Sequence, residues 1–329
     1  MPLDLDACWK QLEADYVGEG VYTRLDLNHE KGIRMAILSP GKNRAIMIEI
    51  NPGEEQILSP PRWKGLGYQM MTFGSTLTSE VNHLVLSEEG TEYRLVFTAL
   101  CSDIIRTVEL SDRGSRAQRL KLCFDRWSRF FEKYVDDGLS AEEQRGLFGE
   151  LLTLELLIEH GFPVIEAVTS WKGSQGCHQD FFHRGVAIEV KTTITKEPRM
   201  VAVSNEIQLD DRGLEALFLL VLTIQQHDGG PRTLPDLVKN VLERLEADSG
   251  ALFIFESNLI GAGYLHSDSD RYNKRYGIKK TEVFKVGEGF PRIIDIDPGV
   301  GDLYYRVVIS TCQSFSIELD QALRVFMGV

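Results

Sequence analysis

The chain has no Cys-x-x-Cys pair. Its five cysteines (8, 101, 123, 177 and 312) are scattered and odd in number, which argues against a disulfide framework and a thiolate zinc site and points to a reducing compartment. Long hydrophobic runs are missing too. The longest, "ALFLLVLTI" at 216–224, falls far short of the ~20 residues a membrane helix needs. There is no excess of positive charge: 36 Lys and Arg stand against 49 Asp and Glu, for a net charge of −13. That argues against broad coating of nucleic acid but leaves room for a local basic groove. The start, "MPLDLDACWK", is acidic and has no following apolar stretch, so no secretory signal is expected and the cytoplasm is the expected location, away from membranes. Neither a repeat nor a low-complexity segment stands out. What is present is ordinary for a soluble globular protein: 43% hydrophobic and 26% charged residues in a chain of 329, enough for two or three domains.

The first 115 residues read as a β-rich domain. "GIRMAIL" (32–38), "RAIMIEI" (44–50), "SEVNHLVL" (79–86) and "EYRLVFTAL" (92–100) are short β-branched and aromatic runs separated by Pro-, Gly- and Asn-bearing turns. A helix is expected over 120–135, where Leu120, Phe124, Trp127, Phe131 and Val135 recur at three- and four-residue steps. A second helix starts at Ser140, whose Glu143 three places on completes a capping box, and stops at Gly161 with Pro163 behind it. Strands are then expected at "PVIEAVTSW" (163–171), "QDFFH" (179–183), "GVAIEVKTT" (185–193) and "RMVAVS". A short helix opened by Ser204 and the buried strand at 216–224 complete an α/β core. The remainder begins with a helix at 234–247. The strand-like pieces "ALFIFES" (251–257), "RIIDI" (292–296) and "LYYRVVIS" (303–310) follow around a polar insertion. The expected division is 1–115, a β-rich domain; 116–230, the core; and 231–329, a C-terminal α/β region.

The chemistry concentrates in "HQDFFHRGVAIEVKTT" (178–193). A hairpin through "HRG" would bring Asp180 level with the far end of the second strand. Side chains alternate, so Glu189 and Lys191 share one face while Val186, Ile188 and Val190 pack on the other. Two carboxylates so close repel unless a counter-charge joins them. A divalent cation with hard oxygen ligands, Mg²⁺ in particular, meets that need and takes one or two carboxylates plus substrate phosphate. Lys191 would then orient the attacking water or stabilise charge on the phosphate. Glu189–Lys191 is the only acid-x-lysine triplet in the chain; the competing reading is a cross-strand salt bridge on a solvated sheet face.

Asp180, Glu189-Val190-Lys191 and an upstream helix carrying "GLFGEL" with Glu150 together resemble the PD-(D/E)XK nuclease superfamily, which includes many restriction endonucleases. More narrowly, "GLFGELLTLELL", "EVKTT" and "EIQLD" resemble an uncharacterised bacterial PD-(D/E)XK family over most of the chain. The residue before Asp180 is Gln179, where the superfamily pattern has proline. The resemblance implies a restriction-endonuclease-like core, a mixed sheet flanked by helices, with an N-terminal β-rich domain and a C-terminal α/β extension. It implies metal binding by Asp180, Glu189 and Glu150, and catalysis by Asp180, Glu189, Lys191 and, on the following helix, Gln208. The implied cofactor is Mg²⁺, with Mn²⁺ as substitute. The implied activity is hydrolysis of DNA in bacterial restriction or phage defence, by a homodimer or by successive nicks, alongside other proteins of such a system. The alternative is a catalytically silent, nuclease-like module that binds nucleic acid or a protein.

Other features carry weaker signals. "RYNKRYGIKK" (271–280) mixes basic residues with Tyr272 and Tyr276, a composition suited to phosphates and unstacked bases; Arg271, Lys274, Arg275 and Tyr276 are its candidate contacts, and the bland reading is a solvated loop. "DRGSRAQRLK" (112–121) is similar. Cys177, His178 and His183 have zinc-ligand chemistry but no matching second pair nearby.

Overall fold

Ser140 opens the helix that organises the second half of the chain. Its hydroxyl accepts from the Glu143 N–H and the Glu143 carboxylate accepts from the Ser140 N–H, the capping box read in the sequence. A computed structural model describes all residues except 1–4, 17–20, 29–31, 52, 55–56, 59–62, 64, 74–80, 110–115, 134–137, 174–177, 195–196, 227–228 and 298–302. Val135 and the first two residues of the 79–86 run therefore lie outside the described residues. The chain divides into two compact units, Met1–Tyr134 and Val135–Val329, where sequence reading expected three segments.

The first unit holds α1 (Leu5–Ala14), β1 (Val21–Asn28), β2 (Ile33–Leu38), β3 (Asn43–Ile50), β4 (Leu66–Phe73), β5 (Val81–Glu88), α2 (Arg94–Glu109) and α3 (Arg116–Lys133). Its sheet runs β1-β2-β3-β5-β4 with every pairing antiparallel. The expected strand at 92–100 is instead the start of α2. Continuing the run shows why: Val96, Phe97, Leu100, Cys101, Ile104 and Val108 are buried at helical spacing, and helical burial prevails over β-branched composition. Buried Asp103 on α2 ties it to α3, accepting from Cys123 Sγ at 3.3 Å, Arg126 Nη2 at 3.0 Å and Trp127 Nε1 at 3.0 Å.

The second unit holds α4 (Ala141–Glu159), α5 (Val164–Ser170), β6 (Phe181–His183), β7 (Val186–Ile194), β8 (Met200–Val203), β9 (Ala216–Gln226), β10 (Arg232–Thr233), α6 (Leu234–Leu245), α7 (Ser249–Gly261), β11 (Arg275–Val286), β12 (Tyr305–Val308), β13 (Ser316–Ile317) and α8 (Leu319–Met327). The main sheet is ordered β10-β11-β9-β7-β6, with β13 also on β11. It is mixed: β7 and β9 run parallel, while β6–β7 and β9–β11 are antiparallel. One face packs Ile188, Val190, Phe218, Leu220 and Leu222 against helical residues such as Leu151, Leu154, Leu237 and Phe255. The other packs Ala187, Leu217, Leu219 and Val221 against Val201, Val203 and Val307 of the β8–β12 pair.

Three expectations are corrected here. Most of the expected strand 163–171 is α5, with Pro163 as its N-cap, Trp171 as its C-cap, and Ala167, Val168 and Trp171 turned inward. Residues 251–257 belong to α7: the Asp248 side chain accepts from the Ala251 N–H, and Ala251, Phe255 and Leu259 are buried four apart. Residues 292–296 form no regular element. Conversely, residues 275–286 of the expected polar insertion form β11, a full partner of β9.

One glycine sets the helix–sheet spacing. A Cβ on Gly149 would stand 2.6 Å from Thr192 Cγ2 and 3.4 Å from both Val190 Cγ1 and Leu222 Cδ1. The bare backbone lets α4 lie close on β7, and that closeness places the next residue, Glu150, beside the strands.

Candidate active site

The sheet register puts the three signature residues together. β6 pairs with β7 only over Phe181–His183 and Val186–Ile188, so Asp180, one residue before β6, falls level with the strand beyond Ile188. The Val190 N–H donates to Asp180 Oδ2 at 2.8 Å. Glu189 and Lys191 lie on one face, as alternation requires, with Lys191 Nζ 2.7 Å from Glu189 Oε1. Val186, Ile188 and Val190 pack into the core on the other.

Glu189 is 1% exposed, and its Oε2 is buried with no hydrogen-bond partner among the described residues. Burial, then the Asp180 charge, pushes its pKa well above the usual carboxylate range, with Glu150 adding to the push and Lys191 opposing it. Asp180 is raised as well, by burial, against the pull of the Lys191 ammonium and the Val190 N–H. For Lys191, burial alone would lower the pKa, but Glu189 and Asp180 outweigh it and the group is raised.

Gln208 comes to Lys191 through a tight 3₁₀ turn at Glu206–Leu209. Asn205, rather than the expected Ser204, caps that turn, its side-chain oxygen accepting from the Ile207 and Gln208 N–H groups. Lys191 Nζ donates to Gln208 Oε1 at 3.1 Å, and the Ser204 N–H donates to the same oxygen at 2.9 Å. The turn is tied down from the other side by Gln179, whose Nε2 donates to the Ile207 carbonyl at 2.8 Å. Gln179 thus has a structural bond of its own at the position where the superfamily pattern has proline.

Glu150 faces the same place from α4. Its Oε2 accepts from the Trp171 indole N–H at 2.7 Å. A Cβ on Gly173 would meet Glu150 Oε2 at 2.8 Å and Asp180 Oδ1 at 2.9 Å, so the two carboxylates converge on that glycine. Sequence reading missed Trp171 and Gly173. Only their place just ahead of Asp180 hinted at them, and the expected strand at 163–171 obscured it.

The donor set suits a hard divalent cation, since it is all oxygen and includes one buried carboxylate oxygen without a partner. Among the described residues no group of three or more His, Cys, Asp or Glu is arranged to hold a metal ion. Glu150, Asp180 and Glu189 are therefore not a ready-made cage of three, and Asp180 with Glu189 is the pair left to offer, a usual number for Mg²⁺.

The basic stretch departs from expectation. Tyr276 is 1% exposed and packs on Phe148 with ring centroids 4.9 Å apart, so it has no face for a base. Tyr272 is buried too, its hydroxyl accepting from the Leu139 N–H at 3.0 Å. Arg275 donates to the Gly230 and Pro231 carbonyls at 2.6 and 3.0 Å, pinning the turn before β10. Arg271 is exposed and lies 3.6 Å from Asp268; Lys274 is half-buried. Pairing of β11 with β9 turned Tyr276 inward, and the turn before β11 buried Tyr272, which composition alone did not reveal. In the other basic stretch, residues 112–115 lie outside the described residues, and Arg116 is buried, donating to the Glu49 carbonyl. Of the zinc candidates, Cys177 lies outside the described residues. His183 lies 3.6 Å from Glu166 and beside Phe162.

No helix among the described residues is long and apolar enough to cross a membrane. No curated protein and no solved structure matches the chain. A family model does: the one described as "Putative PD-(D/E)XK family member, (DUF4420)" matches residues 5–310. That span reaches into both units and includes every residue of the site. With an acid ahead of a hairpin, an acid-x-lysine on its second strand and a mixed sheet flanked by helices, the chain belongs to this nuclease-like family.

Proposed function

We propose that the protein is a Mg²⁺-dependent endonuclease that hydrolyses phosphodiester bonds of DNA, of the kind used in bacterial restriction or phage defence. The observation that carries this reading is the pairing of a buried, unpartnered Glu189 Oε2 beside Asp180 with an ammonium, Lys191, fixed between Glu189 and Gln208. A salt bridge on a solvated face would leave no carboxylate oxygen buried and unbonded.

In this reading Asp180 and Glu189 hold the cation, and Mn²⁺ substitutes for Mg²⁺. Bound there, the cation would lower the pKa of a water and neutralise charge on a phosphodiester oxygen. Lys191 offers ammonium hydrogens to the phosphate oxygen that gains charge as the nucleophile arrives. Gln208 fixes the direction of that ammonium through its Oε1, itself held by the Ser204 N–H. Glu150, steadied by Trp171, orders water beside Asp180. One such site cuts one strand, so a double-strand break calls for a second copy of the chain or two successive nicks.

Plasmid DNA incubated with Mg²⁺ or Mn²⁺ tests the proposal, beside Asp180→Ala and Lys191→Ala. Cleavage by the parent alone, with both variants folded, is expected. Equal activity in all three defeats the assignment. A parent that binds DNA but never cuts it favours a silent binding module, and a parallel arm with RNA decides between the two substrates.

A further inference from the structure

The turn that follows α5 touches both outer carboxylates of the site. The Trp171 indole N–H donates to Glu150 Oε2 at 2.7 Å. The Lys172 and Gly173 N–H groups both donate to the Asp180 carbonyl, at 2.6 and 3.1 Å, and Trp171 bridges to Phe181. Where a side chain at 173 would begin, Glu150 Oε2 and Asp180 Oδ1 already stand, at 2.8 and 2.9 Å. Carbon and oxygen do not approach that closely, so any residue but glycine would push one or both carboxylates away. Nor does the fold need glycine here for its backbone angles: Gly173 is not among the glycines with positive φ. The requirement comes from the two carboxylates.

We propose that Trp171–Gly173 is the positioning element of the site: Trp171 aims Glu150, the backbone of 172–173 anchors Asp180, and Gly173 keeps clear the space in which the two carboxylates meet. Neither Trp171 nor Gly173 is a catalytic residue in this scheme. They act through Glu150 and Asp180, and the inference rests on the metal-binding reading above.

The two roles open to Gly173 predict opposite results. If the glycine serves only folding, Gly173→Ala lowers stability without metal and lowers binding in proportion. If it serves the carboxylates, alanine forces apart two like charges and removes backbone freedom from the unfolded chain. Metal-free stability is then unchanged or raised while affinity for the ion falls.

The test is a Mn²⁺ titration by calorimetry, with paramagnetic resonance of free Mn²⁺ as a second readout, beside metal-free thermal melts. The proteins are the full-length parent, Gly173→Ala, Trp171→Phe, Glu150→Ala and the Glu150→Ala/Gly173→Ala double variant. The expected result is an affinity at least about 10-fold weaker in Gly173→Ala, with an undiminished melting temperature. Trp171→Phe should also weaken binding. The double variant should lose less than the two single losses combined, because the glycine acts partly through the residue already removed. Parent-like Mn²⁺ affinity in Gly173→Ala, or a lowered metal-free melting temperature, overturns the inference and leaves the nuclease reading standing. Fully additive losses in the double variant overturn it too. A parent that binds no Mn²⁺ removes the metal-binding reading and this inference with it.

Discussion

The Val190 N–H donates to Asp180 Oδ2 at 2.8 Å, so the strand that carries Glu189 and Lys191 also holds the first acid in place. Local geometry at Asp180 thus depends on an oxygen acceptor more than on its charge. Asp180→Asn keeps an acceptor there and removes a negative charge from beside Glu189. Cleavage should fall by at least about 100-fold while the metal-free melting temperature stays level or rises, because a buried like-charge repulsion has gone. Melts and plasmid cleavage on one preparation check both halves. A fall in both together would mean that Asp180 is structural.

Lys191 should behave in the opposite sense. Its ammonium is the partner of buried Glu189, at 2.7 Å, and truncation leaves a carboxylate with little compensation. Lys191→Met should cost about 3–5 kcal/mol, the range for breaking a buried pair, and abolish cleavage. Adding Glu189→Gln to Lys191→Met should restore much of the stability and none of the activity, as read by urea denaturation.

Two glycines on one helix should give opposite effects. Gly149 meets Thr192 Cγ2 at 2.6 Å on addition of a Cβ, whereas a Cβ on Gly146 meets nothing within 4 Å among the described residues. Gly149→Val should destabilise by about 2 kcal/mol or more through overpacking against β7. Gly146→Ala should stabilise by up to about 1 kcal/mol through helix propensity.

The buried hydroxyl of Tyr276 has no hydrogen-bond partner among the described residues, and its ring lies against Phe148. Tyr276→Phe should therefore be neutral or stabilising and leave DNA affinity unchanged. An affinity loss in a mobility-shift assay would return this residue to the substrate interface.

Asp103 is expected to contribute to the acid stability of the first unit. Burial pushes its pKa up, but Arg126, the Trp127 indole N–H and Arg106 outweigh that and hold it below the ordinary value of 3.8. A depressed folded-state pKa contributes stability that is full above the unfolded value, about 3.9. That stability drains away as the pH falls through the lower folded value. Denaturant titrations from pH 7 to pH 3 should show the parent losing this contribution below about pH 4. Asp103→Ala should begin about 3–5 kcal/mol lower at neutral pH, and the gap should narrow with acid.

How much the sequence disclosed depends on the range of the interaction. The capping box at Ser140, the alternation of Glu189 and Lys191 and the tight "HRG" turn are contacts within a few residues, and each was legible. Gln208 was singled out because the superfamily pattern places a polar residue just past the strands, and its Oε1 accepts from Lys191 Nζ. The helices at 94–109, 164–170 and 249–261 were misread because short apolar, β-branched windows look alike until burial selects the period. Gly173 and Trp171 escaped notice because their meaning lies in where Glu150 and Asp180 end up, a tertiary fact. The basic stretch misled for the same reason. Its charges are real, but β11 and the turn before it bury Tyr276 and Tyr272.

β6 covers β7 only as far as Ile188, so on that side Glu189–Ile194 have no neighbouring strand in the main sheet among the described residues. An uncovered strand invites another chain to add itself, and charged side chains are a common deterrent. The acids along this edge, above all Asp180, whose carboxylate takes the Val190 N–H, are therefore expected to keep a second chain away. Preparations in which they are neutralised call for light scattering before any loss of turnover is ascribed to chemistry.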